Sequence, residues 1–80
     1  MRKRKEGREL FPYQRPKHWV IKRSDGTYFC GEDSKYAWFG VPLEDQRTMR
    51  WGAKKHAQER LDSFGEKLDP AFTYEVIPVY

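Results

Sequence analysis

The chain has 80 residues, a formal net charge of +4 and a single cysteine. A chain of that length makes one small domain, burying about 60–65 % of its unfolded surface, so its stability is marginal without staples or partners. Cys30 alone excludes an internal disulfide, and Cys30, His18 and His56 are too few and too scattered for a zinc site of about four ligands. No apolar run approaches the ~20 residues of a membrane span, and no apolar stretch follows the basic start as a secretory signal requires. A reducing, cytoplasmic setting with no membrane contact is the expectation.

The charge is unevenly placed. Residues 1–17 hold seven basic side chains against two acidic ones, a net of +5, and residues 18–80 hold nine against ten, a net of −1. The excess lies in the leader, and the body is close to neutral. Residues 1–9 have almost no apolar content, so they cannot repay the entropy of ordering and read as a disordered basic arm. Residues 10–80 then form a single α+β domain. Leu10 to Pro16 mixes Leu10, Phe11 and Tyr13 with two prolines, which resist a helix and favour an extended segment along the body.

His18 to Lys22 is β-rich and predicts a strand. Asp25-Gly26 follows, then Thr27 to Cys30 as a second strand. Asp-Gly between β-rich runs predicts a hairpin closed by a tight primed turn, because glycine supplies the positive φ. Gly31 to Ser34 reads as a loop, and Tyr36 to Phe39 as a short third strand closed by Gly40 and Pro42.

Residues 43–64 contain the helix, with two registers open. A start near Asp45 puts Gly52 in the interior at about 1 kcal/mol and leaves Trp51 in solvent, opposite a stripe of Met49, Ala53, Ala57, Leu61 and Phe64. A start near Gly52 or Ala53 keeps Ala53, Ala57, Leu61 and Phe64 on one face. Trp51 then precedes the helix and packs back on it as a hydrophobic staple. The second register is preferred because it explains Gly52 and buries Trp51. Gly65 ends the helix as a C-cap glycine. Phe72 to Tyr80 predicts the last strand, with the missing N–H of Pro78 turned outward or marking the strand's end.

The expected architecture is a small antiparallel sheet with one helix on one face. Both faces of the strands carry apolar residues: Trp19 and Ile21 against Val20 in the first, Tyr74 and Val76 against Ile77 and Val79 in the last. The second face needs a cover. The choices are the Leu10–Pro16 segment, a second copy in a homodimer, or a ligand.

No catalytic constellation is legible, and no cofactor is implied. Glu32-Asp33 and Glu44-Asp45 are adjacent carboxylates in loops, His56 lies off the apolar line of the helix, and Cys30 reads as a small core residue. Three features suit a polyanion instead. Arg2, Lys3, Arg4, Lys5 and Arg8 form an arm able to release counterions from phosphates, although basic tails also serve solubility or meet acidic proteins. Arg47, Arg50, Trp51, Lys54 and Lys55 combine an aromatic ring with cations, as single-strand binding requires; the plainer reading is a solvated helix start with Trp51 buried. Aromatic residues make up 16 % of the chain, an economical way to fill a small core. Tyr28, Tyr36 and Trp38 could instead stack bases from a sheet, though the RNP pattern is missing.

Trp19-Val20-Ile21-Lys22, Asp25-Gly26, Tyr28, Trp38, Arg50-Trp51, Ala57, Leu61 and Glu75 to Val79 follow one another in an order that resembles small hairpin–helix–strand proteins of phage and prophage genomes. The likeness covers about three quarters of the chain through turn and core positions. Such sequences often cap the helix with Asp or Ser, where Gly52-Ala53 stands here. The resemblance implies a non-enzymatic accessory protein, of anti-CRISPR or host-takeover style, that binds a macromolecule; it transfers no site residue. The expected function is therefore contact with nucleic acid or a nucleoprotein complex through the basic arm. The alternative is an inhibitor of a host protein acting through the apolar sheet face.

Overall fold

The structure is a computed structural model that describes residues 15–80. The expected disordered arm at residues 1–9, and most of the Leu10–Pro16 segment, lie outside the described residues. The elements run β1 (His18–Arg23), β2 (Gly31–Glu32), β3 (Ala37–Trp38), α1 (Lys54–Ser63) and β4 (Tyr74–Val79). All strand pairing is antiparallel, β1 with β4 and β2 with β3, so the domain is α+β as expected.

β1 is the central strand. Val20 and Ile21 favour the extended backbone, and the ladder to β4 sets His18 opposite Val79, Val20 opposite Ile77 and Ile21 opposite Val76. Lys17 N–H donates to the Val79 carbonyl at 2.8 Å, which turns the backbone polar groups of Val79 toward β1 and those of its neighbour Pro78 away from it. The missing N–H of Pro78 therefore faces outward, as the expectation required. The other edge of β1 is also paired. Arg23 N–H donates to Thr27 O at 2.8 Å, Phe29 N–H donates to Ile21 O at 3.0 Å, and Trp19 and Trp51 exchange two bonds of 2.8 and 2.9 Å.

The Asp25-Gly26 turn reverses the chain, but not as a two-residue primed turn. Gly26 N–H returns to Arg23 O while Arg23 N–H reaches Thr27 O. The loop is Ser24-Asp25-Gly26, with Gly26 at φ 90°, the three-residue form in which glycine makes a bulge. Asp25 fixes it by accepting from the backbone N–H and hydroxyl of Thr27 at 3.1 and 2.6 Å. The expected second strand at Thr27–Cys30 is shortened for a related reason. Past the bulge only Tyr28 pairs, with Lys22 on one side and Val41 on the other. Ladder geometry resumes only at Gly31–Glu32. The third strand narrows to Ala37–Trp38.

The helix takes the later register. Ala53 is the N-cap, Gly52 stands outside, and Ala57 and Phe64 are buried. Gly65, at φ 53°, ends it, and a 3-10 turn over Gly65–Lys67 follows. Trp51 precedes the helix; its ring stacks on Phe29 (centroids 6.0 Å apart, 22° between planes) and borders a groove with His56, Glu59, Arg60 and Ser63 of the helix.

Ile21, Phe29 and Phe64 form the core, lined by Ala37, Phe39, Trp51, Leu61, Leu68 and Val76. Each fully buried side chain of this kind contributes about 1.5–3 kcal/mol. Strand alternation puts Ile21 and Val76 on this helix-covered face and Val20, Ile77 and Val79 on the other. There Val20 is fully buried and Ile77 and Val79 are half-buried, so that face is not an open apolar surface at its centre. Cys30, expected in the core, is half-buried, with Sγ 3.4 Å from the carbonyl oxygen of Trp38.

Candidate nucleic-acid interface

Two stretches of the described chain, residues 15–24 and 46–58, contain no Asp or Glu. Between them they carry Arg15, Lys17, Lys22, Arg23, Arg47, Arg50, Lys54 and Lys55. The Trp19–Trp51 bridge joins them side by side. That pairing sets the start of β1, where residues 1–14 join the described chain, against the start of α1.

Not every cation at this junction keeps its charge unopposed. Arg47 grips Asp45 with two guanidinium bonds of 3.0 and 2.9 Å. With the backbone N–H of Arg47 added, they hold the Asp45 carboxyl down at about 2. Arg23 meets Asp25 at 2.7 Å, and this bond, followed by those of Thr27, keeps Asp25 well below the ordinary carboxylate range. Lys22 stands opposite Glu75 in the ladder. Arg50 is tied differently: its guanidinium donates to the carbonyls of Thr48 and Leu43 at 3.1 and 2.7 Å, which fixes the side chain without neutralising it. Among the described residues, no carboxylate forms an ion pair with Arg15, Lys17, Arg50, Lys54 or Lys55.

The start of α1 sharpens the field. Ala53 provides no side-chain cap, and the first turn contains no acidic residue. Two lysines stand there instead, at the positive end of the helix dipole, where each cation costs about 0.3–1 kcal/mol at low salt. Lys54 is steadied by the Trp19 ring, with Nζ 5.7 Å from the centroid, a contact of about 0.5–1 kcal/mol at a partly exposed site. Lys55 is exposed.

The sequence-derived site residues thus separate. Lys54 meets Trp19 at the junction, Lys55 follows it, and Arg50 precedes Trp51; Arg15 and Lys17, which sequence reasoning had assigned to the leader and the extended segment, lead into β1 there. Arg47 lies close by in sequence but is offset by Asp45. Trp51 has one ring face on Phe29, and its remaining surface lines a shallow groove with His56, Glu59, Arg60 and Ser63. It is half-buried, with one part committed to the core and the rest bordering that groove. Arg2, Lys3, Arg4, Lys5 and Arg8 lie outside the described residues. The absence of acid from both stretches was readable in the sequence; their meeting was not.

The Glu32-Asp33 pair is engaged structurally. Glu32 receives Lys67 at 2.7 Å and Arg60 at 3.3 Å, and Asp33 accepts the N–H groups of Lys35 and Tyr36 at 2.8 Å each. An open cleft of about 380 Å³ is lined by Arg23, Tyr36, Lys67, Leu68, Asp69 and Tyr74, among others. Its main polar groups are also committed: Arg23 to Asp25, Lys67 to Glu32, and Tyr74 to the Asp69 backbone at 2.9 Å. Among the described residues no cluster of three or more His, Cys, Asp or Glu is placed to hold a metal ion. No helix among them is long and apolar enough to cross a membrane. Comparison with protein-family models, with curated proteins and with solved structures finds no match.

Proposed function

We propose that this is a non-enzymatic binding protein, a phage-type accessory factor that contacts nucleic acid or a nucleoprotein complex through its basic leader and the cationic edge beside it. The observation that carries this reading is the Trp19–Trp51 bridge, which sets two acid-free stretches together at the point where the leader joins. Arg15, Lys17, Arg50, Lys54 and Lys55 then extend the charge of Arg2, Lys3, Arg4, Lys5 and Arg8. Lysine and arginine contacts to phosphate release counterions and give salt-dependent affinity without sequence preference.

The test is a titration of duplex DNA with the full chain at several salt concentrations. Each phosphate neutralised contributes about −0.9 to the slope of log K against log salt. Lys54→Gln with Lys55→Gln reduces the slope by about 1.8 on that basis. Replacing Arg2, Lys3, Arg4 and Lys5 by Gln removes a further share. If neither set of changes alters affinity or slope, the reading fails.

A further inference from the structure

Trp38 is half exposed, at 50 %, and Tyr36 is 61 % exposed. Neither lies in the basic edge. Ala37, between them, packs on the core, so strand alternation turns Trp38 to the outer side of the β2–β3 hairpin, while Tyr36 borders the open cleft beside Lys67 and Leu68.

The Trp38 ring has a defined seat. In the ladder Trp38 stands opposite Gly31. A Cβ at Gly31 would come within 3.4 Å of Trp38 Cε3 and 3.9 Å of Cζ3. The six-membered ring therefore rests on the glycine backbone, in space that a side chain at residue 31 would contest. Gly31 also has φ 155°, which L residues disfavour. The indole is supported on one side and open to solvent on the other.

The surroundings connect this ring to the cationic edge. Cys30 N–H donates to the Trp38 carbonyl at 2.9 Å, and the neighbouring Phe29 is paired with Met49 on its other side. Met49 N–H donates to Phe29 O at 2.9 Å and Trp51 N–H to Trp19 O at 2.9 Å. Residues 49–51 thus run from beside Phe29, next to Cys30 in the chain, to the junction with β1, and Arg50 lies on the way. Lys35 is exposed next to Tyr36.

We infer that Trp38 is a stacking platform for unpaired bases, and that the nucleic acid taken by this protein is single-stranded. The inference rests on the basic edge being a phosphate-binding surface. A supported ring with a free face accepts any base, while a duplex keeps its bases stacked and presents only phosphates to such a ring.

The experiment compares full-length wild type, Trp38→Ala, Trp38→Phe and the Lys54→Gln/Lys55→Gln variant. The probes are oligo(dT), oligo(U) and a duplex of equal length at one fixed salt. Far-UV circular dichroism confirms that each variant is folded. Trp38→Ala is expected to weaken oligo(dT) or oligo(U) roughly tenfold and duplex binding less than about twofold, with Trp38→Phe recovering most of the loss. Comparison of oligo(dT) with oligo(U) separates DNA from RNA. Equal effects of Trp38→Ala on single strand and duplex, or no effect on either, overturn the platform. If the lysine variant still weakens duplex binding in that case, the basic edge stands and only the platform falls. If wild type binds none of the probes, both fall, and the exposed rings are to be sought in a protein contact.

Discussion

Ala53 stands at the N-cap of α1 with φ −137° and ψ 139° and no side-chain cap. This is the extended geometry from which a serine or aspartate oxygen accepts an N–H of the first turn. Ala53→Ser supplies that acceptor and should add about 1 kcal/mol. Ala53→Asp supplies the acceptor and a negative charge at the positive end of the helix dipole, a further ~0.3–1 kcal/mol at low salt. In a domain of this size 1 kcal/mol moves Tm by about 4–8 °C. Thermal melts at low and high salt separate the two contributions, because the dipole part is screened and the hydrogen-bond part is not. The substitutions diverge in binding. The carboxylate introduced by Ala53→Asp would sit beside Lys54 and Lys55 and oppose their field, whereas serine adds no charge. Ala53→Asp is therefore a more stable protein that binds duplex DNA more weakly, and Ala53→Ser a more stable protein that binds as before. An unchanged Tm for the serine variant would mean the first turn already has its acceptors. Unchanged affinity for the aspartate variant would mean the helix start takes no part in binding.

Three further outcomes follow from the packing and the charges. Phe29→Ala removes the ring on which Phe39, Trp51 and Phe64 converge and costs about 3–5 kcal/mol, enough to abolish a cooperative melt. Phe29→Leu should keep a transition at lower temperature, and an alanine variant melting within a few degrees of wild type would refute the core assignment. Asp25, Glu32, Asp33 and Asp45 are all held below their ordinary values, mainly by hydrogen bonds from Arg23, Lys67, the Lys35 backbone and Arg47 respectively. A depressed carboxyl stabilises the fold above its unfolded value, and that contribution disappears as pH falls through the folded one. Tm should therefore hold from neutral pH to about pH 5 and decline toward about pH 2; a profile still level at about pH 3 contradicts this. Gly31→Ala meets both the positive φ and the Trp38 ring, so it should cost about 1 kcal/mol or more and shift Trp fluorescence to the red, with an unaltered melt and spectrum as the contrary result.

β1, the Asp25-Gly26 reversal, the later helix register and β4 were legible because each is declared by local chemistry. Val20 and Ile21 are β-branched, Gly26 and Gly65 take positive φ, and Ala57, Leu61 and Phe64 recur at helical spacing. Thr27–Cys30 has the same β-rich composition as β1 yet forms no ladder. Its pairing depends on the bulge at Gly26 and on Val41, which reaches Tyr28 from the far side, and neither can be weighed from the segment itself. Cys30 shows the same limit, since its half-buried position follows from where Trp38 lies. For the site, residue types and charges were visible, and their cancellation in part so: Asp45 and Arg47 are close enough in sequence for their pairing to be anticipated. The Trp19–Trp51 bridge was not, because nothing local marks two tryptophans far apart in the chain as partners.

That bridge changes what the net charge of the body means. A net of −1 over residues 18–80 argues against polyanion binding if the charge is spread evenly. Here it is divided along β1. At one end are His18, the Trp19–Trp51 junction, Lys54 and Lys55, with Glu59 as the acid on the groove beside Trp51; at the other, Asp25 follows Arg23, and Glu75 faces Lys22. Four strand residues separate the levels of His18 and Lys22, about 13 Å. The Debye length at physiological salt is about 8 Å. A phosphate approaching the start of β1 is therefore attracted by the nearby lysines and arginines while the distant carboxylates are largely screened. Lower salt lengthens the screening distance and admits those carboxylates to the sum. The affinity of the body should then rise less steeply on dilution than a count of Arg50, Lys54 and Lys55 implies, whereas the leader, with its own excess charge, should show closer to the full slope.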